Sequence, residues 1–175
     1  MNESIGAEYR ISTDHGIFRK ALERTVYLFA LCGGTLLVLL TSMSIISIIG
    51  RKLFASPIRG DMELVEMGAA VIIASFLPLC ELRGNHIKAD AFTLAAPPAV
   101  QRFLDILAHL LCCVAGGVLT WRTSLQMIDM HSYGDSTTLL SIPMWIPLMF
   151  IVPSLALFSI TAAVRVVDII FSRGN

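Results

Sequence analysis

From Thr25 to Gly50 the chain carries no charged side chain. A helix rises about 1.5 Å per residue, so this run alone exceeds a hydrocarbon core of about 30 Å. Backbone groups in lipid must satisfy one another, and a helix does so within a single segment. The run is longer than the apolar part of a signal peptide and no A-x-A cleavage site follows it, so it is expected to be retained. A second apolar run lies between Glu66 and Glu81 and contains Pro78. Asp61, Glu63 and Glu66 suit the positive end of a helix, which extends this span to about residues 61–83. A third run lies between Asp105 and Arg122, broken only by His109, and Pro97-Pro98 marks a start for a span of about 98–122. The fourth stretch, Ser136 to Val164, is uncharged, and its span is expected at about 142–165. Pro143 suits its first turn, and Pro147 and Pro153 are expected to bend it.

The pattern predicts an all-α polytopic membrane protein with four transmembrane helices plus a short N-terminal interfacial helix. The interfacial helix rests on Ile17, Phe18, Ala21, Leu22 and Thr25, which alternate with Arg19, Lys20, Glu23 and Arg24 to give one apolar and one charged face. The alternative is a cytoplasmic extension of the first span. The expected organisation is an N-terminal segment at 1–24, with residues 1–12 disordered, a membrane domain at 25–165 and a tail at 166–175.

Only 15% of the 175 residues are charged, against roughly 25% in soluble domains. The formal net charge is +0, so no basic patch calls for a nucleic acid; the bilayer is the expected surrounding. Orientation follows from cations near the span ends. Arg10, Arg19, Lys20, Arg24, Arg83, Lys88, Arg102, Arg165 and Arg173 fall on the side of the termini, and Arg51, Lys52, Arg59 and Arg122 on the other. Nine against four places both termini in the cytoplasm of a bacterial inner membrane. Trp121 and Trp145 then both belong at the outer interface, which amphipathic rings prefer.

Ionisable groups at membrane depth are few. Glu66 and Glu81 flank the second span, and Asp105 and His109 stand at i, i+4 in the third, a spacing that suits a structural hydrogen bond or an interface contact. Haem ligation needs histidines at matched depth on facing helices, and of His15, His86, His109 and His131 only His109 is clearly inside a span. G-x-S-x-G and H-E-x-x-H are absent, so no catalytic residue, metal or cofactor is expected on this chain. Cys32, Cys80, Cys112 and Cys113 lie in apolar runs without CxxC spacing and read as buried free thiols. Cys112 with Gly116, Cys113 with Gly117, and Ala70 with Ala74 are small-xxx-small pairs that let helices approach closely, within the bundle or against a partner. Gly33, Gly34, Ser42, Ser44 and Ser47 give the first span another small face.

Three segments carry a family resemblance. Arg51-Lys52-Leu53-Phe54-Ala55-Ser56-Pro57-Ile58 with Glu63-Leu64 resembles the Arg-Tyr-x-Phe-x-x-Pro-Ile and paired acids of DctQ-like small membrane subunits of TRAP (tripartite ATP-independent periplasmic) transporters. Arg83-Gly84-Asn85-His86-Ile87-Lys88-Ala89-Asp90 resembles their Arg-x-Gly-x-His-Ile-x-Val-Asp, and Leu140-Ser141-Ile142-Pro143-Met144-Trp145 their Leu-Gly-Ile-Pro-x-Trp. Gly60 replaces a usual aromatic, Met62 the first of the paired acids, and Ser141 a glycine. The resemblance implies a non-catalytic subunit that scaffolds a large membrane subunit holding the substrate and sodium sites. A periplasmic substrate-binding protein would deliver a carboxylate-type solute. It also singles out Arg51, Glu63, Arg83, His86, Asp90, Pro143 and Trp145. Arg83, His86 and Asp90 stand where they could cap a helix end or touch the large subunit. Pro143 and Trp145 could set the depth and angle of the fourth span or meet the binding protein. A self-sufficient small channel or transporter is the alternative function, and a redox-enzyme anchor a third.

Overall fold

The computed structural model describes residues 17–54, 58–83 and 98–171. They form four helices: α1, Ile17–Phe54; α2, Asp61–Arg83; α3, Pro98–Tyr133; and α4, Trp145–Phe171. Each is long and apolar enough to cross a membrane. Residues 1–12, His86 and Asp90 lie outside the described residues.

The helices do not close into a square. α2 packs against α1 and α4, and α4 packs against α2 and α3, so the spatial order is α1, α2, α4, α3 with α1 and α3 at the edges. Small residues make the close approaches. A Cβ on Gly33 of α1 would lie 2.8 Å from the Ser75 Cβ of α2, and Gly68 of α2 leaves the space that Leu40 of α1 fills. A Cβ on Gly116 of α3 would lie 2.8 Å from the Phe158 ring of α4. In lipid there is no hydrophobic drive between helices, so such dispersion contacts and polar ties carry the association.

Proline supplies one tie. Pro78 has no N–H, so the carbonyl of Ala74, four residues earlier, loses its helical donor. Ser154 of α4, fully buried, donates its hydroxyl to Ala74 O at 2.6 Å. The break in α2 thereby becomes a bond between α2 and α4. Pro153 lies inside α4, whereas Pro147 falls in that helix's first turn and removes no helical bond there, contrary to the expected bend.

The separate interfacial helix is not what forms. Ile17 to Phe54 is one continuous helix. No glycine or proline interrupts residues 17–25, and Leu22 and Val26, the latter 0% exposed, turn into the bundle. Arg19 holds both oxygens of Asp168 at 3.2 and 2.7 Å, fixing the start of α1 to the end of α4. Cys32 and Cys80 are exposed rather than buried, Cys112 and Cys113 half-buried, and all four are free thiols.

The third helix also departs from the expected span, running on to Tyr133 instead of ending near Arg122. Its register on α4 is bracketed by Gly116 against Phe158 and Ser159 and by the edge-on stack of His131 and Trp145, 5.3 Å between centroids. Trp121 is therefore not level with Trp145. It lies about 15 Å deeper at 1.5 Å per residue. Arg122, counted above as a loop cation, is a helical residue inside the same stretch.

Candidate functional site

The structural cluster that joins most elements lies where α2 and α4 begin. Gly60 adopts φ +76, and the place of its missing Cβ is occupied by Leu140, so both the turn and the packing demand glycine there. Asp61 then opens α2, accepting the Met62 N–H at 2.8 Å and the Ser47 hydroxyl at 2.6 Å, with Arg51 at 3.2 Å. Two residues on, Glu63 reaches across to the loop between α3 and α4. Its oxygens accept the backbone N–H groups of Leu139 at 2.8 Å and Leu140 at 3.1 Å. Charge-assisted bonds of this kind are about twice as strong as neutral ones, so one carboxylate sets the loop's position on α2.

The loop is tied internally as well. Thr137 receives bonds from Ile142 N to its hydroxyl at 3.1 Å and from Ser141 N to its carbonyl at 3.1 Å, and Ser136 bridges Pro143. Ser141 takes φ +53, a left-handed conformation that glycine adopts without strain and serine does not. Pro143 stands just before α4 and its carbonyl accepts the Ile146 N–H at 3.2 Å; Trp145 is the first residue of α4. Beneath the loop, a cleft of about 460 Å³ lies among α2, the end of α3 and the start of α4, lined by Glu63, Glu66, Ala70, Met130 and Pro147 among others. Ala70 is thus exposed in a cleft, whereas Ala74 is buried in the α2–α4 contact.

At the other end, α2 is held by two groups that sequence reasoning did not pair. Arg165 of α4 donates to Leu82 O in the last turn of α2 at 2.6 Å, supplying a cation to carbonyls at the helix's negative end. Glu81, fully buried, lies 2.6 Å from His109 Nδ1 of α3. The expected Asp105–His109 bond is replaced by this interhelical one. A buried carboxylate near a helix C-terminus opposes the dipole, and the imidazole answers that cost. Glu81 at the end of the second span and His109 inside the third are both visible in the sequence, but nothing there joins them across 28 residues. Arg83 itself is exposed, its guanidinium 5.7 Å from the Tyr27 ring centroid of α1.

The small-residue pairs divide. Gly116 is buried at the α3–α4 contact, and Cys113 O accepts the Ser159 hydroxyl at 2.9 Å. Gly117 is exposed, with Ser159 Oγ 3.7 Å from its would-be Cβ. Among the described residues, no group of three or more His, Cys, Asp and Glu side chains is placed to hold a metal ion.

Four membrane-length helices and a loop clamped onto α2 by Glu63 describe the frame; its kinship comes from comparison. Residues 40–171 match the family described as tripartite ATP-independent periplasmic transporters, DctQ component. The chain belongs to the DctQ family. No curated protein is similar enough to match it. The match takes in both clusters of this DctQ-family chain, from Ser47 and Arg51 through Glu63, Glu81 and His109 to Arg165 and Asp168. Membership makes it a membrane component of a transport system and supports an inner-membrane location.

Proposed function

We propose that this chain is the non-catalytic small permease subunit of a TRAP-type secondary transporter, a membrane scaffold for the large subunit. The large subunit would carry the substrate and sodium sites and take a carboxylate-type solute from a periplasmic substrate-binding protein. The observation behind the scaffold role is the crosswise tying of the helix ends. Glu63 holds a loop, Arg165 holds a helix terminus, Arg19 holds Asp168, and Ser154 spans a proline break. Each tie spends a polar group on fixing one helix against another, which suits a static frame. The edge helices α1 and α3 meanwhile present broad apolar faces, including Leu28, Leu31, Val38, Leu111 and Val118.

The proposed orientation keeps both termini cytoplasmic. With Arg122 inside a helix, only Arg51, Lys52 and Arg59 remain as cations on the opposite side, which sharpens the bias. In a background lacking the native thiols, Ser136→Cys is expected to react with an impermeant maleimide from the periplasm and Ser172→Cys only after the inner membrane is opened. Cytoplasmic labelling of Ser136→Cys would reverse the assignment.

The functional test is reconstitution. Liposomes holding this chain alone are expected to take up no solute, and those holding it with the large subunit and the loaded binding protein to show sodium-dependent uptake. Saturable sodium-coupled uptake by the chain alone would install the self-sufficient transporter in place of the scaffold.

A further inference from the structure

The outward face of α3 carries a feature that the frame does not use. Gly117, Val118, Trp121 and Arg122 line a notch of about 290 Å³ on the outward side of α3, with Gly117 at its edge next to α4, and all four are exposed. Trp121 is 71% exposed. Among the described residues, nothing stands within hydrogen-bond or ion-pair reach of the Arg122 guanidinium. Toward the start of the helix this face is apolar and exposed, with Leu111, Val114 and Val118; toward its end Leu125 and Ile128 flank the exposed polar residues Gln126 and Asp129, four and seven residues beyond Arg122.

Depth makes the arginine significant. Gly116 lies against Phe158 and His131 against Trp145, so Arg122 falls near the level of Pro153 and Ser154. Ser154 is bonded to Ala74, close to the middle of α2. Arg122 is therefore about 13 Å below His131 along α3. An arginine at such depth is costly to place in lipid, and those found there face water or pair with another group. Snorkelling lifts the guanidinium toward the surface but leaves the notch beneath it empty.

We infer that this notch is the seat of a membrane helix of the large transporter subunit, one side chain of which fills the space over Gly117 while an acidic side chain beside it pairs with Arg122. The inference rests on the scaffold reading and adds to it the surface and the chemistry. A second copy of this chain does not fit. A two-fold axis along the membrane normal brings equal depths together and sets Arg122 against Arg122. A phospholipid phosphate lies at the membrane surface, above the level of Gly117 and Val118.

The test uses the full chain co-expressed with the large subunit of its transporter and purified in detergent by a tag on the small subunit. Arg122→Glu and Gly117→Leu are each expected to lower the recovered large subunit roughly tenfold, the equivalent of about 1.4 kcal/mol. Arg122→Lys, which keeps the charge, is expected to retain most of it. The thermal melt of the isolated small subunit should be unchanged in all three, because Arg122 is exposed and a Cβ at Gly117 meets Ser159 Oγ of α4 only at the ordinary contact distance of 3.7 Å. Val118→Cys in a cysteine-free background should cross-link to the large subunit. Full recovery with Arg122→Glu, or loss of bound phospholipid in native mass spectrometry with the complex intact, overturns the inference and leaves the scaffold reading standing. Failure of the unaltered chain to recover the large subunit overturns both.

Discussion

Gly116→Leu is expected to unfold the α3–α4 half of the protein, while Gly117→Leu, one residue on, leaves the isolated fold intact. At Gly116 even a Cβ would meet the Phe158 ring at 2.8 Å and the Ser159 Cβ at 3.2 Å, and the rest of a leucine has nowhere to go. Phe158 is buried and cannot swing aside, so the helices must separate. Overpacking of this kind costs about 1–3 kcal/mol in soluble cores, occasionally more. Here it also breaks the Ser159–Cys113 bond that depends on the same approach. At Gly117 the nearest atom to a Cβ is Ser159 Oγ at 3.7 Å, an ordinary contact, and leucine has the higher helix propensity. Thermal melting of the two variants in detergent compares them directly. Equal destabilisation would mean that α3 is rotated relative to the packing described.

His109→Leu is expected to cost about 1–3 kcal/mol, the range found when a buried polar group loses its hydrogen-bond partner. Glu81 is 0% exposed, and the substitution leaves its carboxylate in the protein interior without the imidazole 2.6 Å away. The double variant Glu81→Leu/His109→Leu should recover most of the loss, because an apolar pair replaces both members of a buried hydrogen-bonded one at little net cost. A double-mutant cycle on melting in detergent measures the coupling. Additive effects, with the double variant the least stable of the set, would show that the two residues do not act as a pair. Glu81→Gln separates acidity from shape, since it keeps a hydrogen-bonding oxygen while removing the acid.

Some of this was legible along the chain. The length of the run from Thr25 to Gly50 compels a span, and Asp61, Glu63 and Arg83 mark the ends of the second helix correctly because helix polarity is a local property. The motifs at residues 51–58, 83–90 and 140–145 pointed to the DctQ family that the match over residues 40–171 shows. The site was less legible. Glu63 was singled out, but not its bonds to the N–H groups of Leu139 and Leu140, 76 and 77 residues later. Ser47 was noted as a small polar residue, yet its role is to hold Asp61. The amphipathic pattern at 17–25 suits a helix facing headgroups, although Leu22 on its apolar side, with Val26 just beyond it, packs into the bundle.

The number of membrane-length helices, the bounds of the second and the family were legible in the sequence alone, because apolar length against bilayer thickness and polarity at helix ends are read residue by residue. Which face of each span turns inward, and at what depth it stands, was decided only by the tertiary structure. In water a buried face is apolar and an exposed one polar, so pattern reveals rotation. In lipid both surroundings are apolar, and Gly116 and Gly117 look alike until one is found against Phe158 and the other in the open. The same ambiguity hid Arg122, which appears to end an apolar run in the sequence but stands in the fold beside the middle of its neighbours.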